Sequence, residues 1–118
     1  MQLEAKKYLL DIQTAIDSIE EYLENKRDLE RYQKNKMLRR AIERELEIIG
    51  EATNKLLKIN HKIPISNVRR IVNLRNWVIH AYDSVDSVIV WGIIHKDIPL
   101  LKLQVQQLLD DPFGEQPW

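Results

Sequence analysis

The chain has 118 residues, enough for one modest core and too few for two. Charged residues make up 31% and hydrophobic ones 44%, which excludes a disordered chain, and the lack of cysteine excludes disulfides, a thiolate nucleophile and thiolate-held zinc. The net charge is zero, which argues against broad coating of nucleic acid, and no apolar run approaches the roughly 20 residues of a membrane helix.

Leu9, Ile12, Ile16, Ile19 and Leu23 recur at spacings of three and four, predicting a first helix over residues 2–24. Asn25 to Arg31 reads as a charged connection. A second and longer pattern runs through Leu38, Ile42, Leu46, Ile49, Thr53 and Leu56 and ends near Asn60. Gly50 lies inside it at a cost of about 1 kcal/mol relative to alanine, the usual reason being close approach of another helix or a ligand. His61 to Ile65 is a short loop containing Pro64. Ser66 is the expected N-cap of a third helix through Val68, Ile71, Val72, Leu74, Val78 and Ile79.

Ala81 to Val85 breaks the pattern. Ser84 or Asp86 then caps a fourth segment through Val88, Ile89, Trp91 and Ile93. Asp97 is the expected cap of a last helix with Pro99 in its first turn and a stripe of Ile98, Leu101, Val105 and Leu108. The expectation is an all-α antiparallel bundle of four to five helices over residues 1–110, followed by a tail over 111–118. Met1 to Lys7 lacks the apolar core of a signal peptide, so a cytoplasmic protein without a membrane partner is expected.

Charge is unevenly spread. Residues 26–44 carry eight cations and three acids, and residues 58–80 carry five cations and no acid. The acid-free segment ends in Arg75-Asn76-Trp77-Val78-Ile79-His80-Ala81-Tyr82, which holds one of only three histidines. On a helix Asn76 and His80 share a face, with Arg75 one position round. Arginine is a permanent, fork-shaped cation suited to phosphate, and histidine exchanges protons near neutral pH. Metal-free RNA cleavage needs a base for the 2′-hydroxyl, an acid for the leaving 5′-oxygen and a cation for the phosphorane charge. One chain offers a single histidine here, whereas a two-fold dimer would bring two histidines and two arginines to one cleft.

The run Arg75-(x)4-His80-x-Tyr82, with Asn76 directly after the arginine, resembles the signature of HepT-type toxins in the HEPN superfamily. Glu47-Ile48-Ile49-Gly50-Glu51-Ala52 is similar to that family's second-helix motif. Pro64 with the helix after it, and Val90-Trp91 with Ile98-Pro99, fit its spacing, so the resemblance covers nearly all of residues 1–110. It implies a HEPN-like bundle and a homodimeric, metal-independent endoribonuclease without a cofactor, the toxin of a type VII-like toxin–antitoxin module. Arg75 and His80 would be catalytic and Asn76 supporting. Tyr82 would receive AMP from a cognate minimal nucleotidyltransferase, and this modification would silence the toxin. The competing reading is a non-catalytic nucleotide-binding or adaptor subunit of a nucleotidyltransferase complex, in which Arg75 and His80 hold a phosphate.

Glu47 and Glu51 share a helix face and either line the cleft or pair with Arg69, Arg70 or Arg75. Arg39, Arg40 and Arg44 form a solvated face or a guide for RNA phosphates. His61 and His95 stand apart from other metal-ligating residues, so no metal site is expected. Trp77 and Trp91 read as core or dimer contacts.

Overall fold

The first apolar stripe forms α1, Leu3–Leu23, and buries Leu9, Ile12, Ile16, Ile19 and Leu23 as the spacing predicts. The helix stops because Glu24 and Asn25 turn left-handed, at φ 56° and 57°. Their amides donate to the carbonyls of Glu21 (3.0 Å) and Glu20 (3.1 Å), satisfying the end of the helix. The computed structural model describes residues 2–74, 76 and 85–110, and all regular structure among them is α-helix.

The expected charged connection contains a short helix instead, α2, Leu29–Lys34. Asp28 starts it by accepting from the Arg31 amide at 3.0 Å, and Tyr32, only 1% exposed, anchors it. Asn35 then serves two helices. Its amide donates to the Arg31 carbonyl, and its side-chain oxygen accepts from the Leu38 amide at 3.0 Å to cap α3, Lys36–Ile59. The buried side of α3 carries Leu38, Ile42, Leu46, Ile49, Leu56 and the predicted Thr53, whose hydroxyl donates to the Ile49 carbonyl at 2.7 Å. Gly50 is buried in this helix.

Ser66 does not cap the next helix. Asn67, at φ 56°, precedes α4, Val68–Val72, without a side-chain cap. Ser66 is engaged elsewhere: its amide donates to Gln104 Oε1 (3.0 Å), and Gln104 Nε2 donates back to its hydroxyl (2.8 Å). Ile71 and Leu74 are buried, Asn73 is a turn residue, and Leu74 and Asn76 are helical. The expected continuation through Val78 and Ile79, the break at Ala81 and the tail over 111–118 lie outside the described residues.

The expected fourth and last helices are one, α5, Val85–Asp110, with Pro99 inside it. Asp97 is no cap: its side chain is 5% exposed and lies 3.2 Å from Arg70 Nε, an ion-pair separation without hydrogen-bond alignment. The buried series Val90, Ile93, Ile94, Ile98, Leu101, Val105 and Leu108 keeps one helical phase past both residues, so packing carries the helix through. Pro99 is tolerated because it faces outward, where its missing amide and ring crowding fall on the solvent side.

The polar links fix the directions of the helices. Gln33 donates to Ser87 Oγ (3.3 Å) at one end of α5, and Ser66 binds Gln104 near the other. Hence α3 and α5 run the same way, with α1 antiparallel between their ends and tied to α5 by Lys102–Glu20 (2.7 Å). The α1–α3 interface is the most extensive one among the described helices.

Trp91 is half-buried between Tyr32 (centroids 5.2 Å apart) and His95 (4.2 Å, edge-on). Burial, and secondarily the charge of Arg27, lowers the His95 pKa below its ordinary value of 6.5. A depressed histidine pKa means that the folded chain binds fewer protons than the unfolded one. Stability from this site is therefore full above about pH 6.5 and erodes as pH falls below it. We expect the melting temperature to drop between pH 7.5 and 5.5 by more in the wild type than in His95→Leu. Equal drops in thermal melts followed by circular dichroism would show that His95 does not set this dependence.

Candidate functional site

A cleft of about 400 Å³ opens between α1 and the middle of α3. From α3 it takes Arg44, Glu47, Ile48, Glu51, Ala52 and Lys55, which are three or four residues apart and so follow one face. Lys7, Tyr8 and Asp11 of α1 form the opposite wall. The fold brings Glu47 and Glu51 into one concave surface because their neighbours Leu46, Ile49 and Ala52 are buried against the bundle.

Each wall carries its own ion pair. Lys7 lies 3.3 Å from Asp11 and Arg44 lies 3.7 Å from Glu47, both one helical turn apart. These pairs are largely exposed, so each is worth at most about 1 kcal/mol and can be rearranged by a ligand. The Lys7 ammonium also lies 4.9 Å from the Tyr8 ring centroid. Partial burial of Tyr8, and the hydrogen bond that its hydroxyl donates to Glu4 (3.2 Å), raise its pKa above 10.0. Three cations balance three carboxylates, so the cleft is built to orient polar groups rather than to concentrate one sign of charge.

Arg70, one of the partners considered for Glu47 and Glu51, pairs with Asp97 instead, and Glu47 pairs with Arg44. Arg39 donates to the Gln33 carbonyl, bracing the α2–α3 corner. Arg40 is exposed one turn before Arg44. Between them Glu43 is half-buried, and burial raises its pKa while Arg40 and Arg39 pull it back.

Of the residues singled out for chemistry, Asn76 is helical and exposed. Arg75, His80 and Tyr82 lie outside the described residues, as does Trp77. The described chain meets their segment at Leu74, buried beside α4, and again at Val85, where α5 begins two residues before the Gln33–Ser87 bond. His95 Nε2 is buried without a hydrogen-bond partner among the described residues. No group of three or more histidine or acidic side chains is placed to hold a metal among the described residues. No described helix is long and apolar enough to cross a membrane.

The α1 wall is what sequence reasoning missed. Lys7 and Asp11 look like an ordinary surface pair four residues apart, and Tyr8 falls beside the apolar stripe. Only the docking of α1 on α3 turns them toward Glu47 and Glu51.

Comparison with known proteins adds what geometry alone does not. The family description "Ribonuclease HepT-like" matches residues 12–108. An RNase candidate of Methanocaldococcus jannaschii, MJ1380, is 34% identical over 104 residues, covering 87% of this chain and 94% of its own length. A second from that organism, MJ1216, is 32% identical over 111 residues, covering 93% and 91%. A probable ribonuclease HepT of Thermococcus cleftensis is 36% identical over 114 residues, covering 92% and 98%. No solved structure matches at a significant level. The matched region takes in the α3 wall of the cleft and the Arg75–Tyr82 run, while Lys7, Tyr8 and Asp11 of the opposite wall precede it, and the chain belongs to the ribonuclease HepT-like family of the HEPN superfamily.

Proposed function

We propose that this chain is the toxin of a two-gene module: a metal-independent endoribonuclease that works as a homodimer and is silenced by AMP transfer onto Tyr82. The observation that carries this reading is the intact run Arg75-Asn76-(x)3-His80-x-Tyr82 inside a region that matches a ribonuclease family from end to end.

The chemistry follows from the residue types. His80 takes the proton of a ribose 2′-hydroxyl, whose oxygen attacks the adjacent phosphorus. A second proton donor, the histidine of the other copy, protonates the departing 5′-oxygen. The products are a 2′,3′-cyclic phosphate and a 5′-hydroxyl, with no external oxidant, reductant or water consumed in the first step. Arg75 supplies a permanent positive charge to the phosphorane as negative charge builds on its oxygens. Asn76 adds an amide hydrogen bond that orients the phosphate or the base.

Silencing uses the same anion site. The Tyr82 hydroxyl attacks the α-phosphorus of a nucleoside triphosphate held by the cognate nucleotidyltransferase; pyrophosphate leaves, and the phenolic proton passes to that enzyme's base. The resulting phosphodiester carries one negative charge two residues from His80, where it competes for Arg75 and bars RNA. The transfer is attractive as a control because it needs no change in the fold.

Purified protein with unmodified Tyr82, verified by intact mass, is expected to cleave single-stranded RNA in the presence of EDTA. His80→Ala should slow that cleavage by about 100-fold or more, the range for losing a general acid–base group. Absence of cleavage by either protein favours the nucleotide-binding adaptor reading instead. In cells, the nucleotidyltransferase should rescue growth from the wild type but not from Tyr82→Phe; rescue of both would remove Tyr82 as the acceptor.

A further inference from the structure

Three carboxylates line the α1–α3 cleft, and two of them are committed within the chain. Asp11 accepts from the Lys7 ammonium at 3.3 Å, and Glu51 is engaged in a contact of its own. Glu47 is different. Its side chain is 29% exposed, and Arg44, the cation beside it, stands 3.7 Å away, beyond hydrogen-bond length. Among the described residues no group donates to it. A carboxylate accepts at both oxygens and donates at neither. Glu47 therefore presents two acceptors, side by side, to whatever enters the cleft.

The surroundings suit a flat ring. Ile48 and Ala52, on the same face of α3, give an apolar floor, and Tyr8 gives an aromatic wall. The cleft, about 400 Å³, falls in the size range of small-molecule sites. Two exposed cations flank the acceptor: Arg44 one turn before Glu47 and Lys55 two turns after it. They lie about 16 Å apart along the helix. An apolar slot with a paired acceptor at its end and a cation on either side matches an unstacked base on a phosphate backbone.

The acceptor pair also selects among bases. Guanine alone of the four RNA bases carries two neighbouring donors, N1–H and N2–H, on its pairing edge. Adenine and cytosine each set one donor beside a ring-nitrogen acceptor, and uracil sets one donor between two acceptors. Each of those three aims a lone pair at the carboxylate.

We infer that Glu47 reads a guanine of single-stranded RNA in this cleft, accepting from its N1–H and N2–H, while Arg44 and Lys55 hold the phosphates on either side. The Arg44–Glu47 pair is loose and exposed, so the base displaces it at little cost. A free guanine nucleotide offers the same edge but carries phosphate on one side only, whereas the cleft has a cation on each. The inference rests on the ribonuclease reading and gives that nuclease a sequence preference. α4 packs on α3, and the Arg75–Tyr82 run follows α4 in the chain. The helix that carries the base reader thus also seats the element leading into the run.

Fluorescence anisotropy separates base reading from cutting. The probe is a short labelled strand of 2′-fluorouridines, which has no 2′-hydroxyl to attack, with one central 2′-fluoro guanosine, inosine or adenosine. Wild type should bind the guanosine strand about 10- to 100-fold more tightly than the adenosine strand. Inosine, which keeps N1–H and lacks the N2 amine, should fall between them. Glu47→Gln exchanges one acceptor for a donor and so matches the adenine edge. Its preference should turn to the adenosine strand, a reversal that mere loss of structure does not produce. Equal affinity for the guanosine and adenosine strands, or a guanosine preference that survives Glu47→Gln, overturns the assignment. Guanosine monophosphate binding as tightly as the guanosine strand overturns RNA as the source of the base. The same strands made with ribose read the nuclease separately. Cutting of those strands alongside equal binding removes the base reader and leaves the nuclease standing. Guanine-selective binding without any cutting removes the nuclease and leaves the reader in place.

Discussion

Everything described depends on the apolar seam between α1 and α3. Leu9, Ile12, Ile16 and Ile19 on one side, and Ile42, Leu46, Ile49 and Leu56 on the other, are at most 1% exposed. Each such side chain contributes about 1.5–3 kcal/mol when fully buried, and no other helix pair described is so extensive. The seam sets which side of each helix remains outside. On α3 that remainder carries Glu47 and Glu51, and on α1 it carries Lys7, Tyr8 and Asp11, so the cleft is a consequence of the core rather than an addition to it.

Polar links then place the ends. Asn35 closes one helix and opens the next; Gln33 holds Ser87 near the start of α5; Gln104 grips Ser66 just before α4. The Gln33–Ser87 bond fixes the border where the stretch from α4 enters α5, and burial of Ile71 and Leu74 fixes the border where it leaves α4. That stretch carries Arg75, His80 and Tyr82. The bundle thus holds one border of its chemically richest segment with a side-chain hydrogen bond and the other by burial. The buried Asp97 beside Arg70 belongs to the same pattern, a charge kept next to α4.

Much of this was legible from residue spacing. The stripes of α1 and α3 predict their helices to within a residue or two, since burial on one side leaves a strong three-four repeat. Three features were not. The short α2 has too few residues to show a period, and its support is one tyrosine with the Asp28 and Asn35 caps. Ser66 looks like a cap by type, yet its partner Gln104 is 38 residues away and invisible to local rules. Asp97 and Pro99 read as a helix start, but the apolar phase on both sides overrides them once α5 packs on α1. For the cleft, Glu47 and Glu51 could be paired on one helix face from spacing, whereas the α1 wall required the docked fold. The family could be recognised because order and spacing of several motifs coincide, where any one of them is common by chance.

The most direct test of the account concerns the ends left on cleaved RNA. A histidine that activates the 2′-hydroxyl beside a fixed arginine leaves a 2′,3′-cyclic phosphate and a 5′-hydroxyl. Mass spectrometry of the products of a short synthetic RNA, with a matched strand bearing 2′-deoxyribose at the cut site, distinguishes the routes. The account predicts cyclic phosphate ends and no cutting of the deoxy-substituted strand. A 5′-phosphate with a 3′-hydroxyl, or cleavage at the deoxy position, would contradict it.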